Sequence, residues 1–250
     1  MRTPWLVNWK PNRSAGVRLF CFPYAGGGDS IFRSWQHSLS DTIEVCPVQL
    51  PGRGSRIAEP PCADINQLVR CAAQALAPYL DKPFALFGHS MGAFIAFELA
   101  RHMRRDYSAH PLHLFVSGRP SPQTMTELSN LDQLDSELPE MLQRRIRNPE
   151  LRELMLPILC ADLALCKSYI YTPETPFRFS ITAFGGLDDH GVPRHAIEGW
   201  REHTTGSFVL RMLPGDHFFL DTCRLLLLEA ISKELEQDMS GKGIGHCNAS

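Results

Sequence analysis

Ser90 lies in the stretch LFGHSMGAF (residues 86–94), with Gly88 two positions before it and Gly92 two positions after it. The stretch joins an apolar run to a run with helical periodicity, so we expect the serine at a turn from a strand into a helix. Such a turn holds its serine in a strained conformation, with the hydroxyl presented for attack. The alternative is a plain structural turn, but the strand–turn–helix setting favours a nucleophile.

A serine hydroxyl becomes nucleophilic only beside a base, and the base needs a third group to orient it. For this type of turn the order along the chain is serine, acid, histidine. His217 in LPGDHFFL directly follows a predicted strand and is the expected base. Asp189 in FGGLDDHGVP is the expected acid, and Asp188 is the alternative.

Three other titratable residues near these motifs are predicted to face solvent. His195 and His203 fall within a predicted helix, so we expect them at the surface. Asp216 is adjacent to His217 along the chain and therefore poorly placed to reach its ring.

The loop CFPYAGGG (21–28) follows the first predicted strand and is expected to complete an oxyanion site. The N–H of Ala25 and the N–H of Met91 are the expected donors, each worth about 3 kcal/mol of the barrier. A flexible turn is one alternative for the three glycines. Dinucleotide binding is another, but the G-x-G-x-x-G spacing is absent.

The loop LPGRGSR (50–56) contains two arginines whose role the sequence leaves open. Arg53 and Arg56 could contact a phosphate or an acidic partner. A solvated turn is the favoured interpretation.

The elements that must position these residues alternate between strands and helices. Apolar runs rich in Val, Ile and Phe predict strands at 17–22, 43–48, 83–88, 112–118, 177–186 and 207–213. Helical periodicity predicts helices at 30–39 (capped by Ser30), 64–80 (capped by Asp64), 91–103, 193–204 and 219–235. This alternation predicts the α/β class, with a mostly parallel sheet flanked by helices.

The strand pattern is interrupted between residues 119 and 176, where the sequence is helical and longer than an ordinary connection. We interpret this segment as an inserted helical lid. Residues 1–236 are predicted to form a single domain that includes the lid, and residues 237–250 are predicted to be a disordered tail.

Composition and charge argue against several classes of function. A net charge of −2 over 250 residues favours neither nucleic acid nor an anionic membrane as partner. No apolar run is long enough to span a membrane, and the first residues do not resemble a secretory signal. The eight cysteines form no C-x-x-C pair, which is typical of buried free thiols in a reducing cytoplasm.

With these motifs in place, the chain resembles the type II thioesterases that accompany nonribosomal peptide and polyketide synthases. The similarity runs from about residue 17 to 230. It is carried in order by LFCFPYAGGGDSIFRSW, VQLPGRGSR, FALFGHSMGAFIAFELA, FVSGRPSP, LPILCADLALCKSYIY, AFGGLDDHGV, GWREHT and MLPGDHFFL.

The resemblance implies an α/β-hydrolase fold with a helical lid, and hydrolysis of acyl groups from the phosphopantetheine arms of carrier domains. It implies Ser90, Asp189 and His217 as the catalytic triad, with Ala25 and Met91 as oxyanion donors. The sequence shows no metal-binding cluster and no nucleotide-binding loop, so no cofactor or metal is expected, and the phosphopantetheine belongs to the substrate. The expected partners are carrier domains bound transiently by a cytoplasmic monomer.

Three alternatives remain open at this stage. A generic esterase or lipase and an acyltransferase both use the same nucleophilic turn, although the order serine, acid, histidine favours hydrolysis. A non-catalytic binding module with this fold would be expected to lack a triad residue, and none is missing.

Overall fold

A six-stranded sheet forms the centre of the computed structural model, which describes residues 3–127 and 148–241. Its strand order is β2-β1-β3-β4-β5-β6, and all five neighbouring pairs are parallel. The predicted α/β class with a mostly parallel sheet is confirmed. The strands are β1 (Val17–Phe22), β2 (Ile43–Pro47), β3 (Phe84–His89), β4 (His113–Ser117), β5 (Ser180–Gly186) and β6 (Phe208–Leu213).

The central strands are buried on both faces. Consecutive residues of a strand point to opposite sides of the sheet. Every residue of β1, β3 and β4 is nevertheless buried, so both sides of the sheet are covered. β6 lies at the edge and is only half-buried over most of its length. This explains why the central strands read as continuous apolar runs rather than alternating patterns.

Seven α-helices within the described residues accompany the sheet. They are α1 (Ile65–Leu76), α2 (Met91–Asp106), α3 (Pro122–Glu127), α4 (Pro149–Ser168), α5 (Arg194–Glu198), α6 (Phe219–Thr222) and α7 (Arg224–Gly241). The predicted cap of α1 is confirmed, because the Asp64 carboxylate accepts the N–H groups of Asn66 and Gln67. None of the helices in this part of the chain is both long and apolar enough to cross a bilayer.

The predicted helix at 30–39, capped by Ser30, is wrong. Two short 3₁₀ turns, Asp29–Phe32 and Trp35–His37, occupy this region. Phe32 and Trp35 both pack against Phe87, at ring distances of 6.0 and 4.8 Å. The two rings belong to separate 3₁₀ turns, and their packing against Phe87 overrides the helical periodicity of the segment.

The predicted lid contains α3 and α4, and its residues 128–147 lie outside the described residues. The assignment of residues 1–236 to one domain with a lid stays a prediction. At the other end of the chain, α7 continues to Gly241, so residues 237–241 are helical rather than part of a tail. Among the contacts of this last turn, Asp238 bonds to His113 at 2.7 Å, and Met239 packs against the core. Residues 242–250 lie outside the described residues.

All seven cysteines in the described ranges are free thiols. Cys21, Cys46 and Cys166 are buried as expected, whereas Cys71 and Cys160 are exposed. The expectation of buried thiols is therefore only partly met. Cys247 lies outside the described residues.

The strand order reverses between β1 and β3, and in open α/β sheets the crevice at such a switch point lies between the carboxyl ends of the two strands. These two strands are neighbours, and β2 lies on the other side of β1. Loops that leave two such strands diverge, and open α/β sheets bind their ligands in the gap. The loop after β1 contains Ala25, and the turn after β3 contains Ser90.

Candidate active site

Ser90 occupies a sharp turn between the last residue of β3 and the first residue of α2. Its backbone has φ 53° and ψ −116°, a region that residues other than glycine rarely adopt. The Ser90 N–H donates to the carbonyl oxygen of Ser117, at the end of the adjacent strand β4, at 2.7 Å. Backbone strain of this kind is found at functional sites.

Gly88 and Gly92 are required by close backbone contacts around this turn. A Cβ on Gly88 would lie 1.9 Å from the carbonyl oxygen of Gly92, and one on Gly92 would lie 2.2 Å from the carbonyl oxygen of Phe22. Any larger residue at either position would displace the backbone. The glycine spacing noted in the sequence therefore packs α2 against β3 and against the end of β1.

His217 connects the serine to a carboxylate. Its Nε2 lies 3.1 Å from the Ser90 Oγ, and its Nδ1 lies 2.7 Å from the Asp189 Oδ2. Because a carboxylate only accepts, Nδ1 carries the proton and Nε2 is left to accept the serine hydroxyl proton. All three side chains are buried. The structure thus brings together the three residues that the sequence singled out, whereas Asp188 is exposed.

The loops that carry the acid and the base are bonded to each other. The Leu187 N–H donates to the Leu213 carbonyl at 2.8 Å, and the Asp188 N–H donates to the Gly215 carbonyl at 3.0 Å. These bonds extend the pairing of β5 with β6 beyond the ends of the strands. They hold Asp189 beside His217 through the backbone as well as through the side chains.

His89, at the end of β3, is a residue of the site that the sequence analysis did not identify. Its Nε2 lies 2.9 Å from the backbone carbonyl oxygen of His217, and its Nδ1 lies 2.8 Å from the Ser117 Oγ. Burial lowers the pKa of His89 well below its usual range, and His217 adds to the effect. A carbonyl only accepts, so the neutral ring donates from Nε2 and accepts the Ser117 hydroxyl at Nδ1. His89 therefore holds the backbone of His217 through a hydrogen bond to its carbonyl oxygen.

The two expected oxyanion donors lie at the crevice between β1 and β3. Met91 is the first residue of α2, where a backbone N–H has no partner within the helix. The helix dipole adds positive potential at this end. Ala25 is buried in the loop after β1, and in the described part of the chain no acceptor contacts its N–H.

Two predictions about surface residues are wrong. Arg53 and Arg56 are buried, not solvated: Arg53 pairs with Asp162, and Arg56 pairs with Glu59. His203 is also buried, whereas His195 is exposed as expected. Buried arginines need carboxylate partners to offset their desolvation, and Asp162 lies more than a hundred positions away, beyond the reach of local patterns.

Asp216 is exposed and does not contact the His217 ring. Its carboxylate accepts the Phe218 N–H at 2.8 Å, ahead of helix α6. Within the described ranges, no group of three His, Cys, Asp or Glu side chains is arranged to hold a metal ion.

A separate surface cleft of about 1010 Å³ lies at the opposite end of the strands, where β4 and β5 begin. Leu112, Ser180, Asp238 and Gly241 are among the residues that line it. It contains none of the residues of the serine–histidine–aspartate site. We therefore place the candidate active site at the carboxyl ends of the strands and not in this cleft.

Comparison with known proteins identifies the family of the chain. The family model of the thioesterase domain matches residues 17–237. The gramicidin S biosynthesis protein GrsT of Aneurinibacillus migulanus is 42% identical over 249 residues, covering 95% of this chain and 96% of GrsT.

Two solved structures are similar over most of their length. RedJ, a thioesterase from the prodiginine pathway of Streptomyces coelicolor, has a TM-score of 0.81 and 40% identity, covering 90% of this chain and 87% of RedJ. BorB, a type II thioesterase from the borrelidin biosynthetic cluster, has a TM-score of 0.80 and 34% identity, covering 91% of this chain and 97% of BorB. The chain, with its serine turn in an α/β-hydrolase fold, belongs to the thioesterase family.

Proposed function

We propose that this thioesterase hydrolyses acyl groups from the phosphopantetheine arms of carrier domains, through an acyl-enzyme on Ser90. The observation that carries the proposal is the hydrogen-bonded chain from Ser90 through His217 to Asp189. The three similar proteins serve gramicidin S, prodiginine and borrelidin biosynthesis, which supports a role in editing or release during assembly of such products.

The first half of the reaction transfers the acyl group to the enzyme. The Ser90 Oγ forms a bond to the thioester carbonyl carbon while the His217 Nε2 takes the hydroxyl proton. Asp189 stabilises the resulting imidazolium through Nδ1–H. The C–S bond then breaks, and the departing sulfur receives the proton from Nε2.

The second half releases the acid. A water molecule attacks the acyl carbon of the ester on Ser90 while the His217 Nε2 takes a proton from it. The second tetrahedral intermediate collapses, the bond to the serine oxygen breaks, and the Ser90 Oγ regains its proton from Nε2. The free carboxylic acid leaves, and no cofactor enters the proposed cycle.

Each half passes through a tetrahedral intermediate with a negatively charged oxygen. We assign its stabilisation to the N–H groups of Ala25 and Met91. Both groups belong to the backbone, so they need no reorganisation when charge develops. The position of Met91 at the first turn of α2 supports this role, because the helix dipole favours an anion there.

The proposed setting is a monomer that contacts its carrier domains transiently in the cytoplasm. The free thiols of the described cysteines support a reducing compartment. A transient contact suits an enzyme that must sample many carriers. Light scattering during size exclusion would give a mass near 28.1 kDa for the monomer.

Replacement of the nucleophile tests the mechanism. Ser90→Ala should abolish release of free acid from an acylated carrier protein, because no acyl-enzyme can form. The measurement is mass spectrometry of the carrier before and after incubation. Ser30→Ala, which alters an exposed serine in the first 3₁₀ turn after β1, is the matched control and should retain full activity. Undiminished release by Ser90→Ala would remove Ser90 from the mechanism.

Two rival activities are separated by the choice of substrate and acceptor. A general esterase would cleave a nitrophenyl ester at least as fast as the acyl-carrier thioester. An acyltransferase would move the acyl group to a second carrier faster than it releases acid. The proposal predicts faster cleavage of the carrier thioester, with free acid as the main product.

A further inference from the structure

Helix α4 carries a buried carboxylate on its inner face. That face is otherwise apolar, and its buried residues recur at helical spacing: Ile158, Leu159, Leu165 and Cys166. Asp162 lies in the middle of this stripe and is only 1% exposed. A charged group in such a position is expensive unless it is paired and hydrogen-bonded, so its partners indicate its role.

Three hydrogen bonds to two separate segments satisfy the Asp162 carboxylate. Arg53 donates to both of its oxygens, at 2.6 Å each, in a bidentate pair. The backbone N–H of Gly26 donates to its Oδ2 at 2.7 Å. Arg53 in turn donates to the carbonyl oxygen of Gly27 at 3.1 Å. The arginine–aspartate pair is therefore hydrogen-bonded to two consecutive residues of the loop after β1. We call this arrangement the Arg53–Asp162 clamp.

The clamp is bonded to the turn that contains Ala25. The Gly27 N–H donates to the Tyr24 carbonyl at 2.9 Å, and Gly26 has φ 75°, as expected at the third position of a type II turn. The Ala25 N–H shares a peptide plane with the Tyr24 carbonyl, so it points away from this bond. Asp162 holds the next peptide, between Ala25 and Gly26, through its N–H.

The same loop lies directly against the serine turn. The carbonyl oxygens of Phe22 and Pro23 lie 2.2 and 2.8 Å from where a Cβ on Gly92 would be. The Tyr24 ring packs at 5.1 Å from the ring of Phe218, the residue after His217. Rotation of the Ala25 peptide would therefore alter a loop that packs against the serine turn.

We propose that Arg53 and Asp162 are positioning residues that hold the Ala25 N–H in place to bind the oxyanion. The inference rests on the proposed function, because it assumes a tetrahedral oxyanion at Ser90. It extends that function by making the oxyanion site depend on a residue of α4, which lies in the predicted lid.

Stability alone does not account for a pair of this kind. Buried ion pairs are often replaced by apolar residues of similar volume without loss of stability, because desolvation opposes the attraction. An apolar pair at these positions would, however, leave the Gly26 N–H without its acceptor and the Gly27 carbonyl without its donor. The clamp therefore serves a purpose that an apolar pair could not: it orients two peptides.

The test is a double variant that removes the clamp without leaving an unpaired charge, Arg53→Met with Asp162→Leu. On a small acyl thioester and on the oxygen ester of the same acyl group, kcat should fall about 10- to 100-fold. KM should change less than about threefold, because ground-state binding is retained. The affinity for an alkyl boronic acid, which forms a tetrahedral serine adduct, should fall by the same factor as kcat/KM.

The matched control is another buried pair, between Arg18 and Glu44, bonded at 2.8 Å at the start of β1. Arg18→Met with Glu44→Gln should leave kcat within about twofold of the wild type, whatever its effect on stability. A folded clamp variant with wild-type kcat, or with a change in KM alone, would overturn the inference. If Ser90→Ala keeps its activity, the proposed function fails instead, so the two failures are distinct.

A measurement on the wild type keeps the inference testable even if the double variant does not fold. The Gly26 amide should exchange its hydrogen as slowly as amides of the central strands, because it is bonded to a buried carboxylate. Exchange at the rate of an exposed loop would overturn the inference.

Discussion

The His217 ring is held on both nitrogens, so its tautomer follows from its neighbours. Asp189 accepts from Nδ1, which leaves Nε2 facing the serine hydroxyl. The chemistry therefore depends on a carboxylate that can only accept. An amide in its place could donate to Nδ1 and would favour the opposite tautomer.

Asp189→Asn should lower kcat by about 10⁴-fold while leaving the fold intact, because the ring would present Nε2–H to Ser90. The measurement is the rate of thiol release from an acyl thioester at saturating substrate. Asp188→Asn is the matched control, since this exposed neighbour does not contact His217, and its rate should remain within a few-fold of the wild type. Equal losses in both variants would contradict the assignment of Asp189.

At the residue scale, the three triad residues could be predicted because they follow the order serine, acid, histidine along the chain. Ser90, Asp189 and His217 each follow a recognisable strand, and the structure brings them together. His89 and Asp162 were missed, because their roles depend on partners far away along the chain. One signal was available for Asp162, since an aspartate interrupts the apolar run LPILCADLAL.

At the scale of elements, the contact between β3 and α2 is the tightest part of the site. Gly88 and Gly92 bring the two backbones so close that any side chain would have to displace one of them. The strained turn at Ser90 persists because the surrounding packing leaves it no room to relax.

Gly88→Ala should lower the melting temperature by at least about 10 °C or prevent folding, because its Cβ would lie 1.9 Å from a backbone oxygen. Thermal unfolding monitored by circular dichroism is the measurement. Gly16→Ala is the control: its nearest neighbour would be the flexible end of Met239 at 3.5 Å, so a shift within about 2 °C is expected. A Gly88→Ala variant that melts with the wild type would contradict the close approach.

Element types were more predictable than element ends. All six strands were predicted within a few residues. The central ones are continuous apolar runs because parallel strands are buried on both faces. The helix at 30–39 was wrong, since the burial of Phe32 and Trp35 on Phe87 selects 3₁₀ turns. That contact joins two distant segments and leaves no local signal.

At the scale of the whole molecule, buried histidines make stability depend on pH. His203 is 5% exposed and packs among the rings of Phe97, Trp200 and Tyr171. Burial, with Arg101 adding to it, lowers the pKa of His203 to about 4. In the unfolded chain a histidine titrates near about 6.5, so the unfolded state takes up the proton first as the pH falls.

The neutral His203 ring should contribute about 3 kcal/mol to the free energy of unfolding. This contribution should be fully present above about pH 6.5 and lost as the pH falls towards about 4. His203→Phe should therefore show a smaller loss of unfolding free energy over this range than the wild type. Urea unfolding at several pH values is the measurement. His195→Gln removes an exposed histidine and should keep the wild-type dependence of unfolding free energy on pH. A wild-type dependence in His203→Phe would contradict the prediction.

The bond between His113 and Asp238 fixes the last turn of α7 to the start of β4. Ser90 follows the carboxyl end of β3, whereas Gly241 lies near the amino ends of β4 and β5, so the two residues lie at opposite ends of the parallel strands. An enzyme immobilised on a solid support through the end of this helix would turn its crevice outward, towards bulky protein substrates. Attachment through an exposed thiol on α4, such as Cys160, would instead tether it by the helix that supplies Asp162.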